Sequence, residues 1–230
     1  MYKILCTLAI LSSITACGGG GGEGTPNQNE GFIGNGLYVN TDDLAVMVVD
    51  SERSANNLAL GDFANNAVYF VDSATTSEFQ MQTKGLTYAD LSTFLSNDDL
   101  VMTADFDIDT VTLTAVVDGV NLIYSMDKTE ASLAISDLVG THTNLDDGST
   151  WTINTDGSFV VNGVCTIEGR LERNGDYYNV DSAVATSCLP SSFNGIYSGV
   201  FLTVNHSGQV YIAGLLGNDD GLLWGSAPKS

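Results

Sequence analysis

The sequence has few positive charges. Its 230 residues include 7 lysines and arginines against 28 aspartates and glutamates, a formal net charge of −21. Proteins that bind nucleic acid present clustered lysine and arginine to the phosphates, and anionic lipid headgroups attract the same side chains. The composition therefore argues against a nucleic-acid partner and against a folded body held on anionic lipid.

Residues that carry catalytic or metal chemistry are also scarce. The chain has two histidines, His142 and His206, and no CxxC or HxxxH spacing of the kind that binds zinc. The pentapeptide from Gly195 to Gly199 misplaces its serine by one position from the GxSxG pattern of serine hydrolases. We therefore predict no enzyme activity, no cofactor and no metal. An envelope hydrolase is a lesser alternative, and it requires a histidine beside a nucleophile or a carboxylate in a pocket.

The acidic residues do not form a recognisable calcium site. Asp105-Phe106-Asp107-Ile108-Asp109 matches the first half of an EF-hand loop, but Thr110 and Val116 stand where that loop needs glycine and glutamate. As a strand, the same segment would place its aspartates in water and Phe106 with Ile108 inside. We also expect solvated turns at the four Asp-Asp pairs, which begin at Asp42, Asp98, Asp146 and Asp219.

The N-terminal apolar run is too short to span a membrane. It extends from Ile4 to Ile14, whereas a transmembrane helix needs about 20 residues. Lys3 precedes the run and small residues follow it, which is typical of a cleaved secretory signal peptide. We predict that residues 1–16 are this signal peptide.

The end of the signal peptide carries a recognisable motif. Ile14-Thr15-Ala16-Cys17 resembles the lipobox of bacterial lipoprotein signal peptides, in which cleavage precedes a cysteine that carries a diacylglyceryl group. Ile14 and Thr15 depart from the commonest residues of the motif, but Ala16-Cys17 is intact. The resemblance implies that acyl chains on Cys17 attach the protein to a membrane. Gly18, in a place where aspartate favours the inner membrane, implies the outer membrane of a Gram-negative bacterium.

Residues 17–35 contain the lipidated cysteine and a segment rich in glycine and asparagine with little to bury. Such a composition predicts a flexible tether. The glycine run from Gly18 to Gly22 is similar to the one that follows the lipid cysteine in surface-displayed Gram-negative lipoproteins. Whether the protein faces the periplasm or the cell surface stays open.

Two of the four cysteines are left for the folded part. Cys6 lies in the signal peptide and Cys17 is assigned to lipid, so Cys165 and Cys188 remain as an even pair in an exported chain. We predict a disulfide between them. It would close a loop of about 23 residues, worth about 3 kcal/mol.

Period-two alternation between turn residues dominates the chain from Gly36 onward. Asp118-Gly119 separates two alternating runs at 111–117 and 120–126, which predicts a β-hairpin. Asp156-Gly157, Asn162-Gly163 and Asn174-Gly175 divide residues 149–184 into a meander in the same way. Only Leu86–Leu95, where Thr87 and Asp90 have capping-box spacing, and Thr129–Leu138 are predicted as short helices, the second with a loop as its alternative.

We therefore predict an all-β fold of antiparallel meanders in two small barrel- or sandwich-like units, with one or two short helices. Gly-x-aromatic triplets at Gly36, Gly140 and Gly195 suggest a faint repeat, and we divide the folded part into residues 36–137 and 138–230. The predicted function is a binding or structural module of the cell envelope, with an envelope protein or a glycan as partner. The alternative is a calycin-like carrier that holds a small apolar ligand in a hollow barrel.

Overall fold

The alternating segments form strands throughout the part of the chain that a computed structural model describes, residues 31–40, 42–117 and 119–230. The fold is all-β and antiparallel, as predicted. The first barrel is closed and consists of β1 (Gly36–Val39), β2 (Ala45–Val49), β3 (Leu58–Asp62), β4 (Ala67–Ser77), β5 (Gln80–Ala89), β6 (Phe94–Phe106), β7 (Thr110–Val117) and β8 (Val120–Thr129).

The second sheet has the strand order β17-β16-β15-β14-β12-β11-β10-β9, with β13 paired to β14. It is a nearly closed barrel, because Asn144 Nδ2, just beyond β9, donates to Ser226 O of β17 at 3.1 Å. Its elements are α1 (Ile135–Leu138), β9 (Gly140–Thr143), β10 (Thr150–Ile153), β11 (Ser158–Asn162), β12 (Thr166–Arg170), β13 (Glu172–Asn174), β14 (Tyr177–Thr186), a 3-10 turn (Ser191–Phe193), β15 (Gly195–His206), β16 (Gln209–Asn218) and β17 (Gly221–Pro228).

The predicted hairpins are present. β7 and β8 pair from Thr110↔Asp127 to Val117↔Val120, on either side of the predicted turn. In the meander, β10, β11, β12 and β14 follow one another across the predicted turns. Gly157 and Gly175 have φ of +82° and +54°, a left-handed conformation that favours glycine.

Alternation divides the side chains of the first barrel between two faces. In β2, Ala45, Met47 and Val49 point into the barrel, whereas Val46 and Val48 point outward and pack on the second barrel. The outer faces of β1 to β4 meet the outer faces of β14 to β17 in one apolar cluster. Strands such as β2 are therefore buried on both sides, which explains their unbroken apolar sequence.

The contact between the barrels is close. At Gly61 in β3, an added Cβ would lie 2.6 Å from Leu215 Cδ2 in β16, so any side chain there would force the end of Leu215 to shift. At one end of the contact the packing becomes polar: Tyr177 Oη donates to Asp50 Oδ2 at 2.7 Å, and Arg53 Nη1 donates to Asn179 Oδ1 at 2.6 Å. Apolar packing with one polar end thus joins the two barrels.

The inner face of the second barrel is filled by buried apolar side chains that include Trp151, Phe159, Tyr197 and Phe201. The rings of Phe159 and Phe201 lie 4.6 Å apart. The predicted disulfide is present: Cys165 Sγ and Cys188 Sγ are bonded, and both residues belong to this core. The bridge joins the segment before β12 to the segment before the 3-10 turn.

The three Gly-x-aromatic triplets do begin strands, and the aromatic residue of each makes the same type of hydrogen bond. Tyr38 Oη donates to Gly34 O at 2.9 Å, and Tyr197 Oη donates to Phe193 O at 3.0 Å. His142 Nε2 makes the same contact with Leu138 O at 2.8 Å. Each aromatic ring therefore holds the carbonyl four residues before it, which fastens the segment that leads into the strand.

The folded body begins earlier than we predicted. Phe32, which we placed in the tether, is 9% exposed and packs edge-on against Phe106 with ring centroids 5.1 Å apart. Ile33 N donates to Glu78 O at 3.1 Å. Residues 31–35 therefore close one end of the first barrel because Phe32 has a core position to fill.

The segment between the barrels belongs with the second one. Leu138, at the end of α1, is buried in the core of the second barrel, and Leu133 N donates to Thr203 Oγ1 at 2.8 Å. Arg173 Nη1 donates to Ser132 O at 2.7 Å. Residues 132–137, which we assigned to the first unit, thus lie on the second barrel.

The helix predicted for Leu86–Leu95 is wrong. These residues are the end of β5, a turn and the start of β6. The Asp90 carboxylate accepts hydrogen bonds from the backbone N–H groups of Ser92 and Thr93, both at 2.7 Å. It therefore caps a turn, and the pairing of β5 with both neighbouring strands prevails over the local capping pattern.

Two predictions about acidic segments also need correction. Phe106 is buried as expected, but Ile108 is 75% exposed, because residues 107–109 form the turn between β6 and β7. Asp98 and Asp99 lie within β6, at an irregularity in its pairing with β5, rather than at a turn. At such an irregularity the extra residues of a strand have no partner in the neighbouring strand, so polar side chains are accommodated there as they are at a turn.

Candidate functional site at the far end of the first barrel

The first barrel has two unlike ends. We call the end that residues 31–35 close the near end, and the opposite end, where Asn40, Phe63, Asp90 and Gly119 lie, the far end. β1 runs away from the near end, and the strands alternate in direction around the barrel. The segment after the predicted lipid anchor therefore enters at the near end, and the far end points away from it.

One row of side chains shows how the inner face changes around the barrel at the far end. Leu60, Tyr69, Tyr88 and Leu95 lie opposite one another on β3, β4, β5 and β6. Leu60 belongs to the inner core and is 7% exposed, whereas Leu95 at the other end of the row is 58% exposed. The barrel interior is thus covered on the β3 side and uncovered on the β6 side.

The facing wall, on β8, is also uncovered. Leu122 lies opposite Ala115 and two residues from Tyr124, which packs on the inner core, so Leu122 points into the barrel. It is nevertheless 52% exposed, and Val120, two residues further toward the turn on the same face, is 59% exposed. We call the inner-face residues Tyr69, Tyr88, Leu95, Val120, Leu122 and Tyr124 the far-end opening.

The exposure has a structural cause in the pairing of β6 with β7. These strands pair only from Met102↔Ala115 to Phe106↔Val111. From there toward the far end, Val101 and Phe94–Asn97 of β6 pair with β5 alone, while β7 and β8 continue as a hairpin to Val117↔Val120. We call the gap between Phe94–Val101 on one side and residues 116–117 and 120–123 on the other the open seam.

Apolar side chains also line the outer side of the open seam. Phe94 is 50% exposed, Val101 46%, Val116 59% and Ile123 71%. Contiguous exposed apolar surface on a soluble protein marks an interaction site more often than isolated exposed residues do. Both faces of the wall at the seam are therefore suited to contact with an apolar partner.

Carboxylates surround the tyrosines of the far-end opening. Tyr88 Oη donates to Asp90 Oδ2, and this hydrogen bond raises the pKa of Tyr88 to about 12 and lowers that of Asp90 to about 2. Burial raises the pKa of Tyr124 to about 12, with the nearby carboxylates of Asp62 and Asp43 as further causes. At neutral pH the opening thus presents the phenol groups of Tyr88 and Tyr124, the first beside the ionised carboxylate of Asp90.

The seam is acidic as well as apolar. Residues 85–127 contain no lysine or arginine. Lys84, which lies opposite Val101 at one end of the seam, is the single one between Arg53 and Lys128. Asp98 and Asp99 are exposed on β6 itself. A positively charged partner would therefore meet attraction here with little competition from the protein's own cations.

Two pockets lie between the barrels and outside their interiors. One of about 380 Å³ is lined by Asp50, Arg53, Asn174 and Asp181 among others, and its polar groups belong to the network that joins the barrels. The other, of about 610 Å³, is lined by residues from both barrels that include Phe63, Leu145, Tyr211 and Trp224. Phe63 places this second pocket beside the far end.

The structure gives both histidines structural surroundings. His142 is 2% exposed, and its Nδ1 accepts a hydrogen bond from Ser230 N at 3.1 Å while Nε2 donates to Leu138 O. His206 lies at the turn between β15 and β16, where Ser207 and Gly208 have positive φ as a hairpin turn requires. Neither histidine lines either pocket.

Cys17 lies outside the described residues, so its predicted lipidation stays a prediction. Within the described ranges, no three His, Cys, Asp or Glu side chains converge in a way that could hold a metal ion. No helix of this part of the chain has the length and apolar character that crossing a bilayer requires. The predicted site residues Cys165 and Cys188 form the disulfide, far in sequence from the open seam.

Sequence reasoning missed the open seam. One local signal was present: Val120-Asn121-Leu122-Ile123 places apolar residues on both faces of one strand. In β2 the same pattern means burial on both sides, so the pattern alone does not distinguish a covered strand from an exposed one.

Comparison of the chain with models of protein families, with curated proteins and with solved structures finds no match.

Proposed function

We propose that this protein is a lipoprotein of the Gram-negative outer membrane, anchored through acyl chains on Cys17, and that its acidic ectodomain is a binding module of the cell envelope. The far end of the first barrel is its binding surface. The partner is a protein that reaches this end from outside the membrane layer to which the anchor attaches.

One observation carries the proposal: side chains that point into the barrel at the far end, Leu95, Val120 and Leu122, are more than half exposed. Full burial of a large apolar side chain contributes about 1.5 to 3 kcal/mol to the free energy of unfolding, and a half-exposed side chain gains only part of this stabilisation. A binding surface gives a reason for that arrangement, and its position opposite the near end supports access by a partner.

A carrier of a small apolar ligand is less well supported. The interior of the first barrel from Phe32 to Met126 and the interior of the second are occupied by packed side chains. The two pockets lie between the barrels. At the far-end opening a ligand could reach the inner wall of the first barrel, so the experiment below also separates a carrier from a protein-binding module.

The anchor is tested by metabolic labelling with a palmitate analogue in a Gram-negative host. We expect label on the wild-type protein and none on Cys17→Ala, which would also leave the membrane fraction. Cys6→Ala is the control, since this residue would be removed with the signal peptide. Equal labelling of the wild type and Cys17→Ala would contradict the proposal.

The binding surface is tested by photo-crosslinking in cells of the source species. A photoreactive amino acid is placed at Leu122, and at Ile196, which is 64% exposed on the outer face of the second barrel. We expect discrete protein adducts from position 122 and none from position 196. Adducts to lipid alone at position 122 would favour the carrier, and equal adducts at both positions would contradict a dedicated surface.

A further inference from the structure

We infer that the open seam binds an extended segment of a basic partner protein, which adds as a strand along the free edge of β6. This inference rests on the proposed function and goes beyond it, because it specifies the conformation and the charge of the segment that binds.

The backbone of β6 carries the first part of the argument. Phe94–Asn97 pairs regularly with β5 on one side, from Ala89↔Phe94 to Leu86↔Asn97. On the other side, no strand pairs with Phe94–Val101 among the described residues. A free strand edge presents unpaired N–H and C=O groups, and an extended peptide satisfies them by adding one more strand.

The irregularity in β6 limits where a strand can add. Three residues of β6, from Asp98 to Leu100, face a single residue of β5 between the pairs Lys84↔Val101 and Leu86↔Asn97. Asp99 N donates to Asn97 Oδ1 at 3.0 Å, so this group is already satisfied. The regular, free part of the edge is therefore Phe94–Asn97, which defines one short docking register.

The side chains carry the second part. Because successive residues of a strand point to opposite faces, alternate side chains of an added segment would point into the far-end opening. There they would meet Leu95 on one wall and Leu122 on the other, both more than half exposed. The incoming segment therefore needs an apolar residue at every second position.

The charge of the partner follows from the surface around the seam. Asp98 and Asp99 lie on β6, and Asp90 begins the adjacent turn, while no lysine or arginine occurs in residues 85–127. Lysine or arginine at the outward-pointing positions of the segment would lie near the carboxylates on β6. A second copy of this chain is a poor occupant, because two bodies with a net charge of −21 repel each other.

The test uses a fluorescent eight-residue peptide of alternating valine and lysine and the full-length protein without its signal peptide and lipid. The controls are a valine–glutamate peptide and two forms of the valine–lysine peptide, N-methylated on the valines or on the lysines. N-methylation keeps the charge of the peptide. Because successive N–H groups of a strand point to opposite edges, methylating every second residue removes the hydrogen-bond donors along one edge of the peptide. We expect saturable binding of the parent peptide and at least tenfold weaker binding of one N-methylated form and of the glutamate form.

Matched protein variants locate the binding. The double variant Leu95→Ser and Leu122→Ser should lose at least tenfold in affinity, whereas Ile196→Ser should bind as the wild type does. Hydrogen exchange should show added protection at 94–97 in the complex. Because both leucines are more than half exposed, the variants should still unfold cooperatively with only a small decrease in the unfolding midpoint, which separates lost contact from lost fold.

Several outcomes would overturn the inference. Equal binding of both N-methylated forms and the parent would show attraction without strand addition. Binding of the glutamate peptide as tight as that of the lysine peptide would show that the positive charge of the segment is not needed. Unchanged affinity of the leucine double variant would show that the peptide binds outside the open seam. Competition by a neutral fatty alcohol with no protection at 94–97 would assign the opening to an acyl chain. If crosslinks at Leu122 still capture a protein, the proposed function stands while strand addition fails.

Discussion

The two barrels treat their inner faces differently. In the second barrel the large inward side chains, such as Phe159, Tyr197 and Ile212, are buried on strands across the sheet, and its exposed apolar residues, such as Ile196, point outward. In the first barrel the inner face is buried at the near end, where Phe32 and Phe106 close it, and uncovered between Leu95 and Leu122 at the far end.

The inner face of a barrel can therefore serve either stability or contact with a partner. An inner face that is filled everywhere contributes stability, because each buried side chain loses contact with water and gains packing. An inner face that is left open contributes little stability and keeps a surface available. We therefore expect substitutions on the two kinds of inner face to have very different effects on the free energy of unfolding.

The largest effect is expected within one hairpin of the first barrel. Leu113 and Leu122 point into the same barrel from β7 and β8, but Leu113 is 6% exposed and Leu122 is 52% exposed. Leu113→Ala should cost about 2 to 5 kcal/mol, and Leu122→Ala about 0.5 kcal/mol or less. Chemical denaturation of both variants measures the difference. Equal losses would show that Leu122 is as tightly packed as Leu113 and would contradict an open far end.

The second barrel should depend on its disulfide. Cys165→Ala combined with Cys188→Ala opens a loop with a sequence separation of 23 residues, which should lower the free energy of unfolding by about 3 kcal/mol. Thermal unfolding with and without a reducing agent provides the control, since reduction should lower the midpoint of the wild type and leave the double variant unchanged. A midpoint that does not respond to the substitution would contradict a stabilising role.

The contact between the barrels should be sensitive to the size of residue 61. A side chain at Gly61 meets Leu215 Cδ2 and the ring of Phe63. Gly61→Leu should therefore cost about 1 to 3 kcal/mol through overpacking, and Gly61→Ala less, because the end of the Leu215 side chain can shift. Adding Leu215→Ala to Gly61→Leu should recover part of the loss. A double variant with fully additive losses would show that the two residues do not meet.

The smallest effect is expected at the polar end of the same contact, and it depends on pH. Burial raises the pKa of Tyr177 to about 12, and its hydrogen bond to Asp50 acts in the same direction. Since the folded pKa lies above the unfolded value of about 10, this stabilisation is complete below about pH 10 and is lost as the pH rises through about 12.

Tyr177→Phe should therefore be less stable than the wild type by about 1 kcal/mol at neutral pH, and the gap should shrink as the pH rises from about 10 to about 12. Urea unfolding midpoints of both proteins across this range measure it. The other tyrosines with raised pKa values are common to both proteins and cancel in the difference. A gap that stays constant with pH would place the Tyr177 hydroxyl outside the contact.

Much of the fold was predictable because its signals are local. A turn pair such as Asn174-Gly175 between alternating segments specifies a hairpin without reference to the rest of the chain. The disulfide was predictable because the predicted signal peptide implies export and accounts for two of the four cysteines, which leaves Cys165 and Cys188 as partners. The wrong helix at Leu86–Leu95 had an equally local signal, but there the pairing of β5 with two neighbours outweighed it.

The candidate site was not predictable from such signals. Whether Leu122 is covered depends on where the pairing of β6 with β7 stops, which is at Met102↔Ala115. The alternation of apolar residues continues through β7 on both sides of that point, so the sequence does not show where the pairing ends. The exposed Ile108 illustrates the same limit: its alternation with Phe106 is correct for a strand, but the chain turns one residue after Phe106.

Local pattern along the chain thus specifies which residues form strands and where the turns fall, because each depends on a few neighbouring side chains. The number of cysteines, with two assigned to the N-terminal segment, specifies which two pair. Which outer faces meet, through Gly61 and Leu215, and which inner face stays open, between Leu95 and Leu122, depends on how distant strands are aligned around a closed sheet. That alignment is a property of the assembled barrel, since no short segment contains both sides of a seam.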